Sequence, residues 1–180
     1  MRFFILMLFI LAATVSCKVK QYDGSSSPIL HDDWTVLLQK HVTDDGWVDY
    51  SSFLKDSVAL DQYLALLSKH HPNDTKWTRE ERLVYWINAY NAYTVKLILD
   101  HYPVSSIKDI KNGIAFVNSV WDIKFIQIEE RTYDLNNIEH GILRKYFEEP
   151  RIHFAINCAS YSCPALLNQA YTAETLEEQL

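Results

Sequence analysis

TREERLVYWINAYNAYTVKLIL, residues 78–99, is the stretch on which the reading of the fold turns. Thr78 is followed three positions later by Glu81, the pattern of a capping box, in which hydroxyl and carboxylate each satisfy a backbone N–H that the first helical turn leaves open. Leu83, Val84, Trp86, Ile87, Tyr90, Tyr93, Val95, Leu97 and Ile98 then surround nearly the whole circumference. A helix that is apolar all round lies inside a protein, so this segment is a long central helix reaching about Tyr102, before Pro103. Asn88 and Asn91 sit within it on one face, three residues apart. Buried amides need partners; these two either clamp neighbouring backbone, the preferred reading, or line a binding site.

Working outward toward the N-terminus, His70-His-Pro-Asn-Asp74 is a break. Before it, Leu54, Val58, Leu64 and Leu67 recur at helical spacing behind Ser51-Ser52 as a cap. Trp47 to Tyr50 reads as a short extended piece and Thr43 to Gly46 as a turn. A first helix opens at His31-Asp-Asp-Trp34, with Asp32 or Asp33 as its cap. On the other side, Ser105 to Ile110 is a short amphipathic turn. Val120 to Ile128 is a strand rich in β-branched and aromatic residues. Glu129 to Arg131 turns it into a hairpin partner, Thr132 to Leu135. Asn136 with Glu139 opens a helix to about Phe147, and Ile152 to Ile156 reads as a strand buried on both faces. Pro164 suits a first helical position, and Thr172 begins a last helix. The expected class is α+β: several helices, one long and central, packed on a small, mainly antiparallel sheet with a hairpin.

The first residues read as an address. Arg2 precedes an uncharged apolar run, Phe3 to Ala13, then Thr14, Val15, Ser16 and Cys17. A charged start, a short apolar run and a small-residue cut site mark a secretory signal, and the run is too short to span a bilayer, which takes about 20 residues. Its end resembles the lipobox of bacterial lipoproteins, with Thr14 where leucine is usual. The resemblance implies cleavage after residue 16, lipidation of Cys17 and attachment to a membrane. Residues 17–30, with Gly24 followed by Ser25 to Ser27, read as a flexible tether, and 31–180 as one globular domain. Lys18 after the lipid cysteine, where some inner-membrane lipoproteins carry Asp, favours the outer membrane of a bacterial envelope.

The chain carries 17 Lys and Arg against 23 Asp and Glu, a net charge of −6. An acidic chain without a basic cluster speaks against nucleic acid as partner. With 4 glycines there is no GxGxxG and no phosphate loop, so no cofactor is expected. The many aromatics, 11 Tyr, 8 Phe and 5 Trp, supply core bulk first and ligand stacking second.

Three ordered motifs, Tyr85 to Ala92, Ile138 to Arg144 and Arg151 to Pro164, resemble the domain-of-unknown-function family 547 over roughly Thr78 to Tyr171. The name implies no activity. Members usually continue past the point where this sequence stops, and a last helix cut off near its start suggests missing chain.

Chemistry-bearing residues crowd positions 139–163. A cysteine hydrolase or acyl-transferase needs a thiolate, a histidine to take its proton and a group to orient that histidine. Cys158 is the candidate nucleophile. The base is His140 or His153, and the orienting group is Asn157, Asn88 or Glu139. On an extended strand His153 would lie roughly 16 Å from Cys158, which favours His140. Asn88, Asn91 and Arg144 are candidate binding residues, the guanidinium suiting a carboxylate or phosphate. No metal-ligand spacing such as HExxH or CxxC occurs, so no metal is expected. The opposing reading is a noncatalytic envelope module in which Cys158 and Cys163 form a structural disulfide, its partner a small molecule, peptide or protein.

Overall fold

The computed structural model describes residues 24–111 and 119–180; the signal and Cys17 lie outside these. Helices α1 (Asp32–His41), α2 (Tyr50–Phe53) and α3 (Ser57–Ser68) precede the long α4 (Arg79–Leu99). A hairpin of β1 (Ile126–Ile128) and β2 (Arg131–Tyr133) follows, then a π-helical segment, Asn137–Leu143, which runs into α5 (Arg144–Tyr146). Short helices α6 (Ile152–Ala155) and α7 (Leu176–Gln179) complete the order. The architecture is α+β, as the periodicities imply.

α4 is the organiser. Thr78 and Glu81 form the capping box, and every residue from Leu83 to Val95 is buried. α3 and the π-helical segment pack on α4, and α1 on α3. In that layer Trp34 stacks on Tyr63, with centroids 5.7 Å apart and rings 5° from parallel. Tyr85 reaches out of α4 to donate to the Leu67 carbonyl at 2.8 Å, tying the central helix to the end of α3. The antiparallel hairpin pairs Ile126 with Tyr133 and Ile128 with Arg131.

Several expectations need correction. The cap of α2 is Asp49, whose carboxylate accepts from the Ser52 N–H at 3.0 Å. Ser51 and Ser52 fall inside the helix, and a 3-10 turn, Leu54–Asp56, separates α2 from α3. His31, not Asp32 or Asp33, occupies the N-cap of α1; the two aspartates fall in its first turn. The strand expected from Val120 begins only at Ile126, because Ser119 and Asp122 cap a 3-10 turn at Val120–Asp122.

The apolar run Ile152 to Ile156 is not a strand. It folds as α6, with Ile152, Ala155 and Ile156 buried and His153 and Phe154 exposed. A short apolar run has no period long enough to choose between the two states, and here burial follows the helical spacing. Asn136 does not cap Glu139; instead Asp134 accepts from the Asn137 N–H. No helix begins at Pro164, and the last one starts at Leu176, after a turn in which the Thr172 and Thr175 hydroxyls meet.

The stretch expected to be a free tether is fastened before it reaches α1. Asn73 donates its amide to the Ser26 carbonyl at 2.9 Å, and the Trp77 indole donates to the same oxygen at 3.1 Å. The Ser26 hydroxyl donates to the His71 carbonyl, and the Lys76 amine to the Ser25 carbonyl.

Candidate functional site

The two amides of α4 are clamps. Asn88 donates to the Tyr171 carbonyl at 2.9 Å and accepts from the Tyr171 N–H at 3.0 Å. One side chain thus satisfies both backbone groups of one buried residue, as a paired strand would. Asn91 donates to the Ala155 carbonyl at 3.0 Å and accepts from the Asn157 N–H at 2.8 Å. The Asn157 side chain is also engaged, donating to the Pro164 carbonyl at 2.7 Å and accepting from the Ala159 N–H at 2.8 Å. Irregular backbone at 155–171 is thereby held without a sheet.

Within that stretch Cys158 and Cys163 are joined in a disulfide, their Cα atoms 6.0 Å apart. Ala159 adopts a left-handed conformation (φ 54°), and the Cys163 N–H bonds the Ser160 carbonyl at 2.9 Å. In this state Cys158 carries no thiol, hence no nucleophile. The ring thrusts Tyr161 almost wholly into solvent, 94% exposed, with its ring centroid 6.2 Å from that of the exposed Trp47. The turn that carries Trp47 abuts the segment after the disulfide: Asn168 donates to Asp44 at 2.8 Å.

The other predicted residues gather elsewhere, around the π-helical segment. Glu139 accepts from Arg144 through Nε at 2.9 Å and Nη2 at 2.8 Å. Arg144 also reaches His153 Nδ1 at 3.4 Å, and His140 Nε2 lies 3.9 Å from Glu139. From beneath, Tyr90 of α4 donates its hydroxyl to Glu139 at 3.4 Å. Burial first, then the Glu139 carboxylate beside it, pushes the Tyr90 phenol well above its usual range, so it acts as a donor. Tyr90 was readable from sequence only as core; nothing in its spacing marks the polar contact. π-helical turns concentrate at functional positions, and this one turns Glu139 inward onto Tyr90 while His140 stays exposed.

The structure thus brings Glu139, His140, Arg144 and His153 together. Asn88 and Asn91 serve the backbone rather than this cluster, Asn157 serves the disulfide loop, and Cys158 is in the ring. Arg151 belongs to a separate pair: its guanidinium grips Glu149 at 2.6 Å and lowers that carboxyl to about 2. Beside the cluster an open groove of about 420 Å³ is lined by Arg131, Thr132 and Tyr133 of β2 with Asn137, Gly141 and Ile142 of the π-helical segment. Nothing would meet a Cβ at Gly141 within 4 Å. Among the described residues, no group of three or more His, Cys, Asp or Glu is disposed to hold a metal ion, and no helix is long and apolar enough to cross a membrane.

No curated protein and no solved structure matches the chain. A family model described as "Protein of unknown function, DUF547" matches residues 75–180. That span takes in α4 with its two clamps, the π-helical cluster and the disulfide loop, and on it the chain belongs to the DUF547 family.

Proposed function

We propose that the protein is a lipid-anchored module of the bacterial cell envelope that binds a partner without catalysing a reaction on it. The observation that carries this reading is the Cys158–Cys163 disulfide. Disulfides persist in exported proteins and are rare where thiols are kept reduced. This one also occupies the only predicted nucleophile while presenting Tyr161 next to Trp47. Exposed aromatic rings on constrained turns are contact residues of the kind that dominate binding energy once desolvated. The apolar N-terminal run, Phe3 to Ala13, supplies the export signal and Cys17 the anchor, and Lys18 favours the outer membrane.

The test is thiol and lipid mapping of the full chain isolated without reductant. Cys158 and Cys163 are expected to resist alkylation together, and a diacylglyceryl mass to reside at Cys17. A free Cys158 that alkylates rapidly well below pH 8.5, the ordinary thiol range, would overturn the binding reading.

A second reading, a cysteine-dependent hydrolase or acyl-transferase acting in the reduced state, draws support from the Glu139–Arg144–His153 cluster, where Arg144 bridges the carboxylate and the imidazole. Its signature would be turnover that appears on reduction and disappears in Cys158→Ala while the fold persists.

A further inference from the structure

The lead-in to the domain is fastened at one end of the central helix. Ser25 and Ser26 are bonded to Asn73, Lys76 and Trp77, and α4 begins two residues later, at Arg79. α4 has 21 residues, so its far end, next to His101, lies roughly 30 Å away at 1.5 Å per residue.

Chain length sets the reach from the anchor. From Cys17 to Ser25 the backbone spans at most roughly 28 Å when fully extended. The near end of α4 therefore sits within reach of the anchor. Bringing the far end to the bilayer would require the leader to run back along almost the whole helix at full stretch. Were residues 17–30 all free, the limit would be roughly 45 Å and either end could face the lipid.

We propose that the docked leader orients the domain on the membrane, with the N-terminal end of α4 and the 69–77 loop toward the lipid headgroups and the Leu99–His101 end away from them. The partner of the loop face is the lipid surface itself. This rests on the lipid anchor at Cys17 proposed above.

Asn73→Asp is the informative change. It removes the amide donor to Ser26 and sets a carboxylate against that carbonyl. The Oδ1 acceptor for the Thr75 and Lys76 N–H groups remains, so the turn itself is preserved. Trp77→Phe, which removes the indole donor, is combined with it. The full lipidated chain is reconstituted in phosphatidylethanolamine and phosphatidylglycerol vesicles containing a headgroup-labelled energy acceptor. A donor dye is placed at Lys69→Cys or at His101→Cys, both exposed positions, with the native disulfide left oxidised.

Energy transfer from position 69 is expected to exceed that from position 101 by at least twofold. The ratio is expected to fall toward one in the Asn73→Asp, Trp77→Phe chain, whose fold is checked by circular dichroism. Equal transfer from the two positions in the otherwise unaltered lipidated chain, or a ratio unmoved by the double substitution, overturns the orientation and leaves the lipoprotein reading standing. A full chain whose mass shows no acyl group at Cys17 overturns the lipoprotein reading, and the orientation with it.

Discussion

Asn88 uses both halves of its amide on one buried residue, Tyr171. Tyr171 is itself buried, so its N–H and carbonyl have no water to turn to when the amide is removed. Leaving two buried backbone groups unpaired costs about 2–4 kcal/mol. Asn88→Ala is expected to lower the free energy of unfolding by that amount in urea titrations, whereas loss of an ordinary exposed amide would shift it by a few tenths. An effect below about 1 kcal/mol would mean that the 170–172 segment re-pairs elsewhere.

Two histidines act on the same scale. His31 donates or accepts at Tyr63 Oη, 2.7 Å away, and His71 is held by the Pro72 carbonyl at 2.8 Å and Tyr133 Oη at 2.7 Å. Burial lowers both rings from 6.5 to about 4. They are neutral in the fold, while the unfolded chain takes up protons near pH 6.5. The stability they allow is therefore complete above that pH and is lost as pH falls through the window toward 4. At full extent the loss is about 3 kcal/mol for each ring. Urea midpoints measured between pH 7.5 and 4.5 should fall steadily, and His71→Gln should flatten part of the slope; a level profile would show that neither ring is held neutral.

At the scale of elements, the turn before α2 and the chain beyond the disulfide meet through a glycine. Gly46 lies at φ +84°, and a Cβ there would come within 2.4 Å of the Ala165 Cβ and 2.9 Å of its Cα. Gly46→Ala carries both a backbone penalty and a clash with main chain that cannot swing aside. It is expected to destabilise by about 2 kcal/mol or more, and to speed exchange of the Trp47 N–H, which is held by the Thr43 hydroxyl at 3.0 Å. Unaltered exchange at Trp47 would show that the turn yields without opening.

Elements also divide what could be read from sequence from what could not. α4 was legible because three signals agreed over many residues: the capping box, the all-round apolar surface and the stop near Pro103. The paired amides announced a clamp, and their spacing put them on one face. Ile152 to Ile156 misled because four apolar or aromatic residues interrupted by one histidine carry no usable period. The hydrogen bonds that decide the state there, from Asn91 and within 149–156, come from distant or irregular chain. The π-helical turn was hidden for a similar reason: local patterning shows an ordinary amphipathic helix, and only packing on α4 reveals that Glu139 faces Tyr90. The candidate site was half visible. Glu139, His140, Arg144 and His153 do converge, but Cys158, three residues after a short helix rather than at a strand end, lies in a closed ring.

For the whole molecule, the fold is a long helix wrapped on several sides, with its last side closed by the C-terminal segment. Leu166, Ala170, Tyr171 and Leu176 are all buried, and Gln179 returns to the Ala170 carbonyl at 2.9 Å and the Thr172 N–H at 3.0 Å. A chain ending at Ala170 would lose the partner of Asn88 and the apolar cover of Leu176 together. It is expected to unfold with a broadened, less cooperative transition and a reduced urea m-value; a transition as sharp as that of the full chain would show that the segment is an accessory rather than a wall.

That closing wall also sets a clock. Asn88 and Tyr171 stand 83 residues apart, and Asn91 and Ala155 stand 64 apart. A ribosome adding about 5–20 residues per second delivers Tyr171 roughly 4–16 s after Asn88. For that interval the longest helix among the described residues exists with two amides and one flank unoccupied. The nascent chain is thus most prone to aggregate after its central helix has been made, and a holding factor would have to stay bound until Tyr171 emerges.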